Sequence, residues 1–130
     1  MTDKLGPKQT PNVTQLGGHY AQAIVHGDLV YLSVQLGFEP GSSTPELVSV
    51  GQQVRNFLSN LSAILDEAGS NMDHVIRTIF DMSDIAVWPE VNAIYADVFG
   101  DHHPVRTIVP CNTLHHGFQI EIDALAVMKS

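Results

Sequence analysis

The sequence predicts an α+β fold, a mixed sheet with two helices on one of its faces. Apolar residues recur at helical spacing in two stretches only, 54–68 and 91–99. The remaining apolar stretches are short, β-branched and partly alternating, and the two kinds interleave in the order β-β-α-β-α-β-β. The chain of 130 residues has the length of a single domain, 1–130, and its 44% of apolar residues is enough to bury one core.

Residues 1–17, rich in Pro, Thr, Gly and Asn, read as an irregular arm. Two apolar runs, Ala21 to Val25 and Leu29 to Leu36, flank His26-Gly27-Asp28 and read as a β-hairpin. The polar stretch 39–45 is a loop. Between Val48 and Ala68 the residues Val54, Phe57, Leu58, Leu61, Ile64, Leu65 and Ala68 form one helical stripe, and Gly69 follows where a helix-ending glycine belongs. Val75 to Met82 is a strand by its β-branched and aromatic content. Trp88-Pro89 opens a second helix, striped by Val91, Ile94, Tyr95, Val98 and Phe99 and ended by Gly100. Thr107 to Val109 and Phe118 to Met128 supply the last strands.

Charge excludes several partner classes. The formal net charge is −8, and the six Lys and Arg residues do not cluster. Neither nucleic acid nor an anionic membrane surface is an expected partner, because both bind through grouped cations. The single cysteine, Cys111, rules out an intrachain disulfide and fits a reducing compartment. The start lacks the apolar stretch of a signal peptide, and no run approaches the ~18 apolar residues of a membrane span, so the expected location is cytoplasmic. If both helices cover one face of the sheet, the Val/Ile/Leu-rich strands need cover on the other. A homo-oligomer supplies it.

The candidate chemistry lies near the end of the chain. Arg106, in Pro104-Val105-Arg106-Thr107, stands apart from other charges and offers a planar fork for a carboxylate. Downstream, the alternation of Phe118 to Ala124 puts Glu121 and Asp123 on one face and Ile120 and Ile122 on the other. These residues alone leave two readings open for each group. Arg106 either pairs with Glu121 or Asp123 across neighbouring strands or grips a ligand, and Glu121 is either a solvated outward residue or a catalytic one. The pairs His102-His103 and His115-His116 lack ligand spacing, since neighbours on an extended chain point to opposite sides and no HExxH or His/Cys framework accompanies them. No metal site and no cofactor is expected. Nothing around Cys111 marks an activated thiolate.

Four segments in order resemble the Rid family of reactive intermediate deaminases, also called the YjgF family. They are Gly18-His19-Tyr20-Ala21-Gln22-Ala23, Tyr31-Leu32-Ser33-Val34-Gln35, Val91-Asn92-Ala93-Ile94-Tyr95, and Pro104-Val105-Arg106-Thr107 with Ile120-Glu121-Ile122-Asp123-Ala124. The resemblance runs from about residue 17 to 128. It implies a chorismate-mutase-like domain assembled as a homotrimer, with sites in the clefts between subunits. It also implies metal-independent hydrolysis of enamine and imine acids such as 2-aminoacrylate and 2-iminopropionate to 2-keto acids and ammonia. In that scheme Arg106 holds the substrate carboxylate and Glu121 positions the attacking water. Tyr20, Ser33, Asn92 and Ile108 complete the binding residues.

The chain departs from the family pattern at several places. Val34 replaces the glycine of a Ser-Gly-Gln strand, His19 replaces a proline, and Ile108 stands where many members have a cysteine. Leu114-His115-His116-Gly117 replaces a segment that often begins Leu-Pro. The alternatives are a non-catalytic member that binds a small carboxylate as a sensor, or a deaminase of a larger amino-dienoic acid. Endoribonuclease activity, sometimes attached to the family, fits an acidic chain poorly.

Overall fold

Alternation along the last strand decides where the sheet turns its two faces. In Ile120–Val127 the residues Ile120, Ile122, Ala124 and Ala126 are buried, while Glu121, Asp123, Leu125 and Val127 point the other way. The structure is a computed structural model that describes residues 6–8 by their backbone, and 19–42, 44 and 48–129 in full. The strands are β1 Gly6–Lys8, β2 Ala23–His26, β3 Leu29–Leu36, β4 Val75–Met82, β5 Val105–Pro110 and β6 Ile120–Val127. The helices are α1 Val50–Ala68 and α2 Trp88–Phe99.

Among the described residues six strands form one mixed sheet in the order β1-β2-β3-β6-β4-β5. Of these strands β4 and β5 run parallel, as the α2 crossover between them requires. β6 lies between β3 and β4 and pairs antiparallel with both, which makes it a central strand. Both helices pack on the face that carries Phe80, Met82, Ile120 and Ile122, giving the two-layer α+β arrangement the sequence predicts. Phe80 is at its centre, with its ring 5.8 Å from Phe57 of α1 and 5.3 Å from Tyr95 of α2. Among the described residues no helix is long and apolar enough to cross a membrane.

Local chemistry explains the helix ends. The Ser49 hydroxyl accepts the Gln52 N–H at 3.2 Å and caps α1. Gly69, at φ 89°, takes the left-handed conformation that ends α1 without the penalty a side chain would bring. At the end of β3, Gly37 lets the chain pass close to α1: a Cβ there would lie 2.7 Å from that of Gln53. Asn56 and Asn60 of α1 donate to the carbonyls of Gly37 and Phe38 at 3.0 Å each and tie this crossing down.

One correction concerns the amino-terminal arm. Within the stretch 1–17 expected to be irregular, Gly6–Lys8 pairs antiparallel with β2, Gly6 opposite Val25 and Lys8 opposite Ala23. Gly and Pro hid it, yet an edge strand tolerates Pro7, which removes a donor from the ladder. Residues 1–5 and 9–17 lie outside the described residues, as do Ser43 and Pro45 of the loop expected at 39–45. β5 is also longer than the expected 107–109 and takes in Arg106 itself.

The face away from the helices carries apolar side chains that no described residue covers. Tyr31 of β3 is 47% exposed and Val105 of β5 67%, with Val109 of β5 exposed as well.

Candidate functional site

Arg106 is held at the open edge of the sheet. Opposite Thr78 in the parallel register, it turns to the helix face and lies against α2. Its guanidinium carbon sits 4.5 Å from the Trp88 ring centre and 5.0 Å from that of Tyr95, within the range of cation–π attraction. One terminal nitrogen donates to Asn92 Oδ1 at 3.0 Å. That uses a single donor of the five a guanidinium carries. The Tyr95 hydroxyl shares a 2.9 Å hydrogen bond with Thr78 Oγ1, which pins α2 to β4 and fixes the ring beneath the arginine. Burial pushes the Tyr95 hydroxyl up from its ordinary pKa, while the Thr78 bond and the Arg106 charge oppose this, so the ring stays neutral. The guanidinium faces a cleft of about 470 Å³ lined also by Phe99, His102, His103 and Pro104.

Tyr20 and Ser33 meet elsewhere, on the β2–β3 side of the sheet. They line a shallower cleft of about 320 Å³ together with Ile24 and Tyr31. Tyr20 is 49% exposed. The Ser33 hydroxyl donates to the Ala21 carbonyl at 2.6 Å, so it braces the segment leading into β2. Ser33 lies in the register shift between Leu32 and Gln35, where β3 bulges against β6.

Glu121 occupies the third place, half-buried on the face away from the helices. It is opposite Leu36 of β3 and Asp81 of β4. Burial, the hydrogen bond its protonated form donates to Asp81, and the charges of Asp81 and Asp123 together push its carboxyl up from 4.5 to about 7. Asp123 is raised as well, by burial and then by Asp81, with Arg77 opposing. Burial and the same two carboxylates, Asp81 and Glu121, push up the Cys111 thiol beside them.

Glu121 thereby links stability to pH. In the unfolded chain its proton leaves near 4.5, whereas the fold keeps it to about 7. Across that window the native state binds more protons, so its stability falls as pH rises and the loss is complete above the upper value. Glu121→Gln mimics the protonated form at every pH. It should match the wild type in urea denaturation at pH 4 and exceed it at pH 8 by on the order of 1 kcal/mol, a figure discounted for the solvent screening of a half-exposed group. Equal curves at pH 8 would contradict this account of Glu121.

Within one chain, then, the expected residues fall into separate groups. Asn92 joins Arg106, and Ile108, two residues along β5 and opposite Phe80, shares its face and packs against the core. Glu121 is on the other face, two strands away and three residues along the register, roughly 14 Å from Arg106 by standard strand spacings. The ion-pair reading of Arg106 with Glu121 or Asp123 needs β5 and β6 side by side, and β4 separates them. Sequence reasoning assigned Trp88 and Tyr95 to the helix alone and passed over Asp81. The spacing of Trp88, Asn92 and Tyr95 on α2 was the available signal for the first two. Asp81 needed the β4–β6 register. Among the described residues no group of three His, Cys, Asp or Glu side chains is placed to hold a metal ion.

Comparison with known proteins gives a consistent picture. A family model described as Endoribonuclease L-PSP matches residues 11–128. The chain is 33% identical to a RutC family protein, PH0854, of Pyrococcus horikoshii, over 90% of this chain and 93% of that protein. It is 32% identical to the human 2-iminobutanoate/2-iminopropanoate deaminase, over 85% of this chain and 80% of the human one. Among solved structures, a putative endoribonuclease L-PSP from Entamoeba histolytica superposes with a TM-score of 0.91 at 32% identity, covering 96% of this chain and all of the other. A Rid family protein of unknown function, YyfA from Yersinia pestis, gives 0.92 at 29% identity, with 96% of this chain and all of the other covered.

Proposed function

Because this chain belongs to the endoribonuclease L-PSP family, the family also called YjgF or Rid, we propose that it hydrolyses small 2-imino acids to 2-keto acids and ammonia. The observation that carries this reading is Arg106, seated on two aromatic rings at the mouth of a cleft with one donor engaged by Asn92. A planar fork oriented in this way receives a carboxylate. The imine deaminases among its relatives supply the reaction class, and the net charge of −8 runs against a polyanionic substrate.

The chemistry needs one more group. Water attacks the iminium carbon, the C=N becomes a single bond, and one water proton passes to Glu121. The nitrogen of the tetrahedral adduct then takes that proton from Glu121. The C–N bond breaks as C=O forms, and the departing ammonia carries off the hydroxyl proton as ammonium. A carboxyl held at about 7 suits both directions, since it is close to half-protonated at neutral pH.

Arg106 and Glu121 lie on opposite faces of their own sheet, so a three- or four-carbon substrate reaches both only between two chains. The assembly proposed is a C3 trimer in which the edge carrying β5 of one subunit meets the uncovered sheet face of the next, a head-to-tail contact that closes on itself. The Tyr20 and Ser33 side of the sheet borders the same face.

The test is to add the protein to an enzyme that generates 2-aminoacrylate and follow keto-acid release. Release should exceed the spontaneous rate in proportion to protein added, with no added metal. Release at the spontaneous rate, with pyruvate still bound, would overturn the catalytic reading and leave a carboxylate sensor.

A further inference from the structure

Glu121 has a partner that the hydrolytic scheme does not use. Asp81 of β4 is directly opposite it in the antiparallel register, so the two carboxyls share the face away from the helices and lie within reach of a hydrogen bond to each other. Two carboxyl groups form such a bond only when one of them carries a proton, because an ionised carboxylate has nothing to donate. The surroundings keep that proton in place. Asp123, two residues along β6, adds a third carboxylate, and Leu36 of β3 is apolar. Cys111, just past β5, donates its backbone N–H to Met82 at 2.9 Å and brings a thiol rather than a cation. Among the described residues Arg77 of β4, opposite Leu125, brings a cation to this side, and its influence falls on Asp123. Like charges this close cannot both ionise near neutral pH without a counter-ion.

We propose that Asp81 is a positioning residue for Glu121: the two carboxyls share one proton across β4 and β6, which orients the Glu121 oxygens and lets Glu121 both take a proton from water and return it to the leaving nitrogen. This rests on the hydrolytic reading above. While Glu121 holds the proton taken from water the pair carries two protons, and when Glu121 passes one to the leaving nitrogen the pair returns to its single shared proton. Burial alone would also raise a carboxyl, but it would not tie the titration of Glu121 to that of Asp81.

The test uses the full chain with carboxyl-labelled Asp and Glu, followed by carbon NMR from pH 4 to 9, in the wild type, Asp81→Asn and Asp123→Asn. In the wild type the Asp81 and Glu121 signals should each move in two common steps. Asp81→Asn should lower the Glu121 midpoint by about one pH unit or more, and Asp123→Asn, without the direct bond, should lower it less. In turnover, Asp81→Asn should shift the acid limb of the kcat profile to lower pH by the same amount, with KM unchanged within about twofold, because Arg106 still binds the carboxylate. A Glu121 midpoint unmoved by Asp81→Asn, or wild-type signals that titrate independently, would overturn the pairing. The two-step titration needs only the wild type, so it decides the matter even if the variant fails to fold. Common titration in a protein that does not turn over imine would uphold the shared proton and remove the hydrolytic role built on it.

Discussion

Arg106→Ala is expected to lower kcat/KM for imino acids by about a hundredfold or more, the cost typical of truncating one partner of a hydrogen-bonded charge pair. Three features of its setting make the effect large. The Trp88 and Tyr95 rings hold the guanidinium plane, Asn92 fixes its rotation, and the Thr78 bond to Tyr95 fixes the platform. A carboxylate therefore meets a fork already oriented, and little ordering is left to be done on binding. Arg106→Lys keeps the charge but loses the fork and the stacking, and should fall between the two, near a tenfold loss expressed mainly in KM. Stability should barely change, because the side chain is exposed and its contacts with the rings are worth about 1 kcal/mol or less. The measurements are steady-state kinetics and pyruvate titration on each variant beside a thermal melt. Wild-type kcat/KM in a folded Arg106→Ala would place carboxylate binding elsewhere.

How much of this was legible beforehand depends on range in sequence. α1 and α2 could be read because a helical stripe with its caps is a local signal: Ser49 and Gly69 at the ends of one, Pro89 and Gly100 at the ends of the other. The hairpin of β2 and β3 was equally local. β1 was not, because three residues containing Gly and Pro carry no periodicity, and only pairing with β2 makes them a strand. The candidate site divides along the same line. Arg106, Asn92, Tyr20, Ser33, Ile108 and Glu121 were reachable through short motifs, whereas their placement depends on the strand order. That order interposes β4 between β5 and β6, turns Arg106 and Glu121 to opposite faces, and brings Asp81 against Glu121 from forty positions away in the chain. An alternating pattern shows which residues share a face of one strand, but says nothing of which strand comes next to it.

The second large effect follows from those opposite faces. In the proposed reaction Arg106→Ala lacks the carboxylate receptor, and Glu121→Gln lacks the group that accepts the water proton, although its amide can still orient water. Each variant alone should show about 1% of wild-type turnover or less, while Glu121→Gln still binds pyruvate. In a trimer whose clefts draw Arg106 from one chain and Glu121 from the next, mixing restores what each lacks. A cleft between a Glu121→Gln subunit that supplies the arginine and an Arg106→Ala subunit that supplies the glutamate is complete. Random assortment of equal amounts makes roughly a quarter of the clefts of this kind. Unfolding the two variants together and refolding them, with each refolded alone as a control, measures this directly. Recovery to about a quarter of the wild-type rate, in particles that sediment as trimers, is the expected result. A mixture as inactive as its parents, in trimers shown to have exchanged subunits, would contradict a site shared between chains.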